Sequence, residues 1–196
     1  MALSRAGIEI DPVAVKAVMG LPKLEAIRLL LSGAGGSFTD AEPNAIHVDF
    51  VRRMRNHYSF DPSVREVPGA SAAFATLRRA GIKVALNTGF SRTISAAVLS
   101  RLGWHAPAAI DADVASDEVP YGRPRPDMIR ALMARLGVDD PRRVAKVGDT
   151  RADMEEGANA RCGLVIGVTT GTFSREHAHI VDSVAEAPAL LLPPCR

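Results

Sequence analysis

The chain has 196 residues, 47% of them hydrophobic, which is enough to bury a sizeable core as one domain with a smaller companion. Its 24 Lys and Arg are interspersed with 22 Asp and Glu for a net charge of +2, so no basic stripe invites nucleic acid. Met1 to Gly7 carries no apolar signal core and no apolar run reaches about 18 residues, so a soluble, cytoplasmic protein with no membrane partner is expected. Cys162 and Cys195 have no metal-ligand spacing.

In chain order, residues 1 to about 60 read as helices only. Asp11-Pro12 opens a short helix, Pro22 begins a second that runs through Leu31, and Asp40 to about Tyr58 repeats apolar residues at helical spacing. Phe60-Asp61-Pro62-Ser63 gathers turn residues into a hinge, which predicts a helical unit over 1–62 and a second unit over 63–196. The second unit alternates. A helix is expected at Gly69 to Ala80, a strand at Ile82 to Asn87, a helix at Arg92 to Leu102 and a strand near Ala109 to Val114. Another helix at Pro126 to Leu136, a strand at Arg143 to Val147, a helix to Asn159 and a strand at Leu164 to Val168 follow. Strands alternating with helices of this length predict a parallel sheet covered on both faces.

Chemistry concentrates at the strand ends. In Val147-Gly148-Asp149-Thr150-Arg151-Ala152-Asp153, glycine permits a tight turn, Thr150 or Asp149 can cap the next helix, and Asp153 lies one helical turn on. Two carboxylates at the carboxyl end of a buried strand, where open α/β sheets take ligands, suit a divalent metal. A cap followed by a surface aspartate is the plainer reading of the bare Gly-Asp pair. Asn87-Thr88-Gly89-Phe90-Ser91-Arg92 sets a hydroxyl and backbone amides at a helix start, which suits an anionic oxygen or serves only as a cap. Gly122-Arg123-Pro124 places a guanidinium before a helix, able to fork onto a phosphoryl group or to hold nearby carboxylates.

Hydroxyl loop, cation loop and paired-Asp loop, in that order, resemble the haloacid dehalogenase superfamily, and within it the phosphonatase-like hydrolases. The resemblance implies a Rossmannoid α/β core with a parallel sheet and helices on both faces, plus a small all-helical cap formed by the first zone. By that resemblance Thr88 and Gly89 bind the phosphoryl oxygens, and Arg123 neutralises nucleophile and phosphoryl charge. Asp149 is the implied Mg2+ ligand, with Asp153 as its partner at the metal. Met19-Gly20-Leu21-Pro22-Lys23 is similar to the cap segment in which phosphonoacetaldehyde hydrolases carry a Schiff-base lysine, so Met19 and Lys23 are implied substrate contacts. A protonated imine would accept the electrons released when a carbon–phosphorus bond breaks. The implied substrate is a small phosphonate or phosphate ester, hydrolysed through an aspartyl-phosphate intermediate. Pairing of two copies through their caps is a further family expectation.

Two departures qualify the resemblance. Ala26 stands where phosphonoacetaldehyde hydrolases have a histidine three residues after the lysine. The family's opening strand, ending in an Asp-x-x-Gly-Thr motif that supplies the nucleophile, has no counterpart here, and Asp111, Asp113 and Asp117 lack its context. Loss of that central strand would leave its two neighbours with an unpaired edge each. The expectation is a chain inactive as it stands, either started late or truncated; the alternative is a non-catalytic phosphate-binding or partner-binding remnant.

Overall fold

The computed structural model describes residues 11–35, 38–39, 41–169 and 180–192. Three helices come first. Helix α1 (Pro12–Ala17) starts where the Asp11 carboxylate accepts the Val13 N–H at 2.9 Å, with proline at the first helical position, where no N–H is needed. Helix α2 (Lys23–Gly33) buries Ala26, Ile27, Leu30 and Leu31, a stripe at helical spacing. Helix α3 (Ala41–Phe60) lies against α2 and along α5 (Arg92–Leu102), and its exposed Asp49 holds Arg52 and Arg53. It ends at Phe60, and in the turn that follows Asp61 Oδ1 accepts the Ser63 N–H at 2.8 Å.

Beyond that turn the chain alternates as its pattern predicts. Helix α4 (Ala70–Arg79) leads to β1 (Ala85–Thr88), α5 to β2 (Ala112–Ala115), α6 (Asp127–Leu136) to β3 (Ala145–Gly148), and α7 (Arg151–Asn159) to β4 (Leu164–Val168). Strands β1, β2 and β3 start later than periodicity suggests because turns claim the preceding residues, whereas β4 starts at Leu164 as expected. The Ile82 N–H closes α4 by bonding Leu77 C=O, and a short 3-10 turn at Pro141–Arg143, capped by Asp140, precedes β3. A short strand β5 (Ile180–Val181) and helix α8 (Ala187–Leu191) follow; neither has a strong enough period to be read in advance.

The strand pairs are parallel: β1 with β2, β3 with β4, and β4 with β5. Among the described residues β1 pairs only with β2, and β3 on one side only, with β4. Polar side chains span the interval between them, with Lys146 Nζ of β3 donating to Asn87 Oδ1 of β1 at 2.8 Å. The apolar core lies in three patches under the helices. Ile110, Val84, Phe74 and Leu77 form the first, with Phe74 edge-on to Trp104 at 5.0 Å. Val114 with Met128 and Leu132 forms the second, and Ile166 with Val168 and Val181 the third. Among the described residues no helix is long and apolar enough to cross a membrane. Cys162 is half-buried and burial pushes its thiol up to about 11, which keeps it an unreactive thiol at neutral pH.

Candidate active site

Three strand-end loops converge, each for a local reason. After β1, Thr88 Oγ1 accepts the Phe90 N–H at 3.1 Å and keeps its own proton to donate. The Ser116 hydroxyl, just past β2, bonds the Gly89 and Phe90 carbonyls at 3.1 and 3.0 Å and fixes the turn. After β3, the first turn of α7 folds back over Gly148, where a methyl group would sit 2.3 Å from Asp153 Cβ, so only glycine fits. Thr150, rather than Asp149, is the cap: its oxygen accepts the Asp153 N–H at 3.2 Å and its hydroxyl donates to Asp153 Oδ2 at 2.6 Å.

The third loop delivers Arg123 into a buried ionic cluster. Its Nη1 meets Asp153 Oδ1 at 2.9 Å, its Nε meets Glu156 Oε2 at 3.2 Å, and its Nη2 donates to Asn87 O and Oδ1 at 2.8 and 3.0 Å. Lys146 Nζ reaches Asp153 Oδ1, Glu156 Oε2 and Asn87 Oδ1 at 2.8, 2.9 and 2.8 Å. Asn87 Nδ2 donates to both oxygens of Glu156, each at 2.9 Å. Two cations and two carboxylates thus neutralise one another, with Glu156 fully enclosed at 0% exposure. Burial by itself pushes the Asp153 carboxyl up, but the charges of Lys146 and Arg123, with hydrogen bonds from Lys146 and Thr150, outweigh it and leave it below the usual value.

Asn87 and Glu156 lie within the motif runs read from sequence, and Lys146 within a strand, but none of the three was given a role there. A signal existed. Lysine inside a strand taken to be buried on both faces requires a buried anion, and Glu156 lies one turn beyond Asp153 on the same helix.

The segment carrying Lys23 is seated on all three loops. A methyl at Gly20 would meet Thr150 Oγ1 at 2.6 Å, one at Gly89 would meet Gly20 O at 2.8 Å, and one at Gly122 would meet Pro22 Cγ at 2.5 Å. Contacts this close require glycine on the facing surface. Lys23 opens α2 with its ammonium 5.5 Å from the centre of the Phe90 ring, and Phe90 in turn packs against Tyr58 of α3 at 5.6 Å. Burial, and then the charge of Arg123, hold the Lys23 ammonium below its ordinary pKa. Met19 precedes this seat and is 42% exposed. His57 pairs instead with Asp61, at 3.0 Å. Gly122→Val is expected to lift the 19–23 segment from the core. Hydrogen exchange at its amides should accelerate by at least about tenfold while global stability moves by less than about 1 kcal/mol; unchanged exchange would contradict the seat.

Asp149 lies at the end of β3 and is the more exposed of the two expected metal carboxylates, whereas Asp153 commits both oxygens to protein donors. Burial and then the negative charge of Asp153 push the Asp149 carboxyl up, against weaker opposition from a backbone bond, Arg123 and Lys146. A cation beside it would relieve that strain. Among the described residues no group of three or more His, Cys, Asp or Glu forms a cage. The exposed Asp149 carboxylate suits a hard ion that binds through a single carboxylate and keeps its waters, as Mg2+ does.

Comparison with known proteins agrees with this architecture. Residues 7–161 match the family described as haloacid dehalogenase-like hydrolase. The phosphonoacetaldehyde hydrolase of Bacteroides fragilis is 32% identical over 199 residues, covering 90% of this chain and 71% of the relative. That of Bacillus cereus is 30% identical over 194 residues, covering 91% and 71%. In three dimensions, a phosphonoacetaldehyde hydrolase-like protein from Oleispira antarctica superposes with a TM-score of 0.80 at 23% identity, over 97% of this chain and 82% of its own. CbbY from Rhodobacter sphaeroides, solved with phosphate, gives 0.78 at 22% identity over 94% and 84%. The chain belongs to the haloacid dehalogenase-like hydrolase family. Its sequence relatives include phosphonoacetaldehyde hydrolases at about 30% identity, which makes it phosphonatase-like within that family.

Proposed function

We propose that the site belongs to a magnesium-dependent hydrolase of a small phosphonate or phosphate ester, working through an aspartyl-phosphate. The observation that carries this reading is the seating of the Lys23 segment on the three strand-end loops, which completes one site from Lys23 and the loops that carry Thr88, Arg123 and Asp149. In it the Thr88 hydroxyl and the amides that open α5 orient phosphoryl oxygens. Arg123 adds positive charge from a fixed position. Asp149 would hold Mg2+, which supplies charge to the phosphoryl group when bound. Asp153 acts through its neighbours, fixing Arg123 and the cap of α7. Lys23, with its ammonium disfavoured, more readily yields the free amine that carbonyl attack needs. The seated segment keeps that amine partly out of water.

The attacking carboxylate is not among the described aspartates outside the paired-Asp loop that sequence brought into question. Asp111 bonds Arg78 and the Val84 N–H, Asp113 pairs with Arg92, and Asp117 accepts the Arg92 N–H at 2.7 Å. We therefore read the 196-residue chain as binding without turnover. Incubation with Mg2+ and phosphonoacetaldehyde, then borohydride, is expected to reduce an imine onto Lys23, visible by peptide mass spectrometry, with no release of phosphate. Trapping should increase as pH rises through the depressed lysine value and level off below the usual value of about 10.4. Release of phosphate would show that an attacking group has been missed. An unmodified Lys23 would leave a phosphate-ester site without imine chemistry.

A further inference from the structure

The buried cluster holds more charge than the proposed chemistry uses. Arg123 has five N–H donors, and its contacts with Glu156, Asp153 and the two oxygens of Asn87 leave one Nη1 proton for a ligand among the described contacts. Its orientation toward the site is therefore set by three protein groups, not by a bound oxyanion. Two of those groups are themselves held. Asn87 spends its whole amide on the cluster, Nδ2 on Glu156 and Oδ1 on Lys146 and Arg123. Glu156 is 0% exposed and Lys146 6%, and Lys146 has three acceptors within 2.9 Å. Apolar residues in place of a buried ion pair are often neutral or stabilising, so fold stability does not account for this pair.

We propose that Asn87, Lys146 and Glu156 are positioning residues of the phosphoryl site. They form a buried brace that fixes the Arg123 guanidinium and the Asp153 carboxylate, and the inference rests on the phosphoryl reading above. The brace spans three elements: Asn87 on β1, Lys146 on β3 and Glu156 on α7. It therefore ties the hydroxyl loop to the paired-Asp loop through the cation loop. Displacing any one member turns Arg123 away from the bound oxyanion, however favourable the net charge becomes.

That last point gives the test an unambiguous sign. Glu156→Gln removes a negative charge beside Arg123, so electrostatics alone predicts tighter binding of inorganic phosphate. Positioning predicts the opposite, about a tenfold weakening, the scale on which loss of a partner that orients a site group acts. Calorimetric titration of the full chain with inorganic phosphate at saturating Mg2+ reads this directly, with circular dichroism confirming the fold. Asn87→Ser changes no charge and is expected to weaken phosphate binding in the same direction, which keeps the test decisive if Glu156→Gln does not fold. Wild-type affinity or tighter binding in a folded variant would overturn the brace and leave the phosphoryl reading intact. Failure of the wild type to bind phosphate with Mg2+ would sink that reading, and the brace with it.

Discussion

Lys146→Met is expected to lower the unfolding free energy by about 3–5 kcal/mol at neutral pH, the usual penalty for breaking a buried ion pair from one side. Methionine fills most of the volume, so cavity formation contributes little. The loss comes from Asp153 and Glu156, which would keep Arg123 as their one cationic partner in the cluster while remaining 2% and 0% exposed. The pH dependence follows from the depressed Asp153 carboxyl. A carboxylate held below its unfolded value contributes stability that is present above that value, about pH 3.9, and is lost as pH falls through the lower folded value. Without Lys146 much of that depression disappears. The gap between wild type and variant should therefore be widest near neutrality and narrow as pH is lowered to about 4 and below. Urea titrations at pH 7 and at low pH measure it. An equal gap at both would mean that lost packing, not lost charge, is responsible.

Asp149→Asn is expected to separate stability from binding in the opposite direction. Burial and the Asp153 charge raise the Asp149 carboxyl, and a carboxyl raised in the fold opposes folding above its unfolded value. The metal-free variant should thus be at least as stable as wild type at pH 7, with that advantage fading as pH falls through the raised folded value and gone below about 3.9. Binding should show a large loss. If Asp149 holds the proposed Mg2+, phosphate affinity at saturating Mg2+ should fall by more than the roughly 10–100-fold that outer partners of a metal site are worth. Addition of Mg2+ should also no longer raise the midpoint of thermal unfolding. A variant that keeps both responses would place the cation elsewhere.

Thr88, Arg123, Asp149 and Asp153 stood out in sequence because they lie at or beyond strand ends, where hydrophobic periodicity stops. The alternation of helices and strands from Ala70 to Val168 was readable from the same periodicity, with its largest errors where turns took residues from the starts of β1, β2 and β3 and one-residue differences at other ends. Lys146 and Glu156 were harder to see. Their meaning lies in a contact between β3 and α7, and Asn87 joins it from a strand some 59 residues away from Lys146 in sequence. Periodicity treats such residues as exceptions to an apolar pattern and not as partners. Among the described residues β1 and β3 do not pair, and the Lys146–Asn87 bridge across the interval between them could not be read from either strand alone.

The seat of the Lys23 segment has a consequence for how such a protein changes over time. Its closest approaches are made by main chain and a proline ring: the Gly20 and Leu21 carbonyls over Gly89, and Pro22 over Gly122. A fit made by backbone places no demand on the side chains that flank it. Met19 and Lys23, which lie outside the buried stripe of α2, can therefore be exchanged without unseating the segment. New substrates can be sampled while the geometry of closure is inherited unchanged.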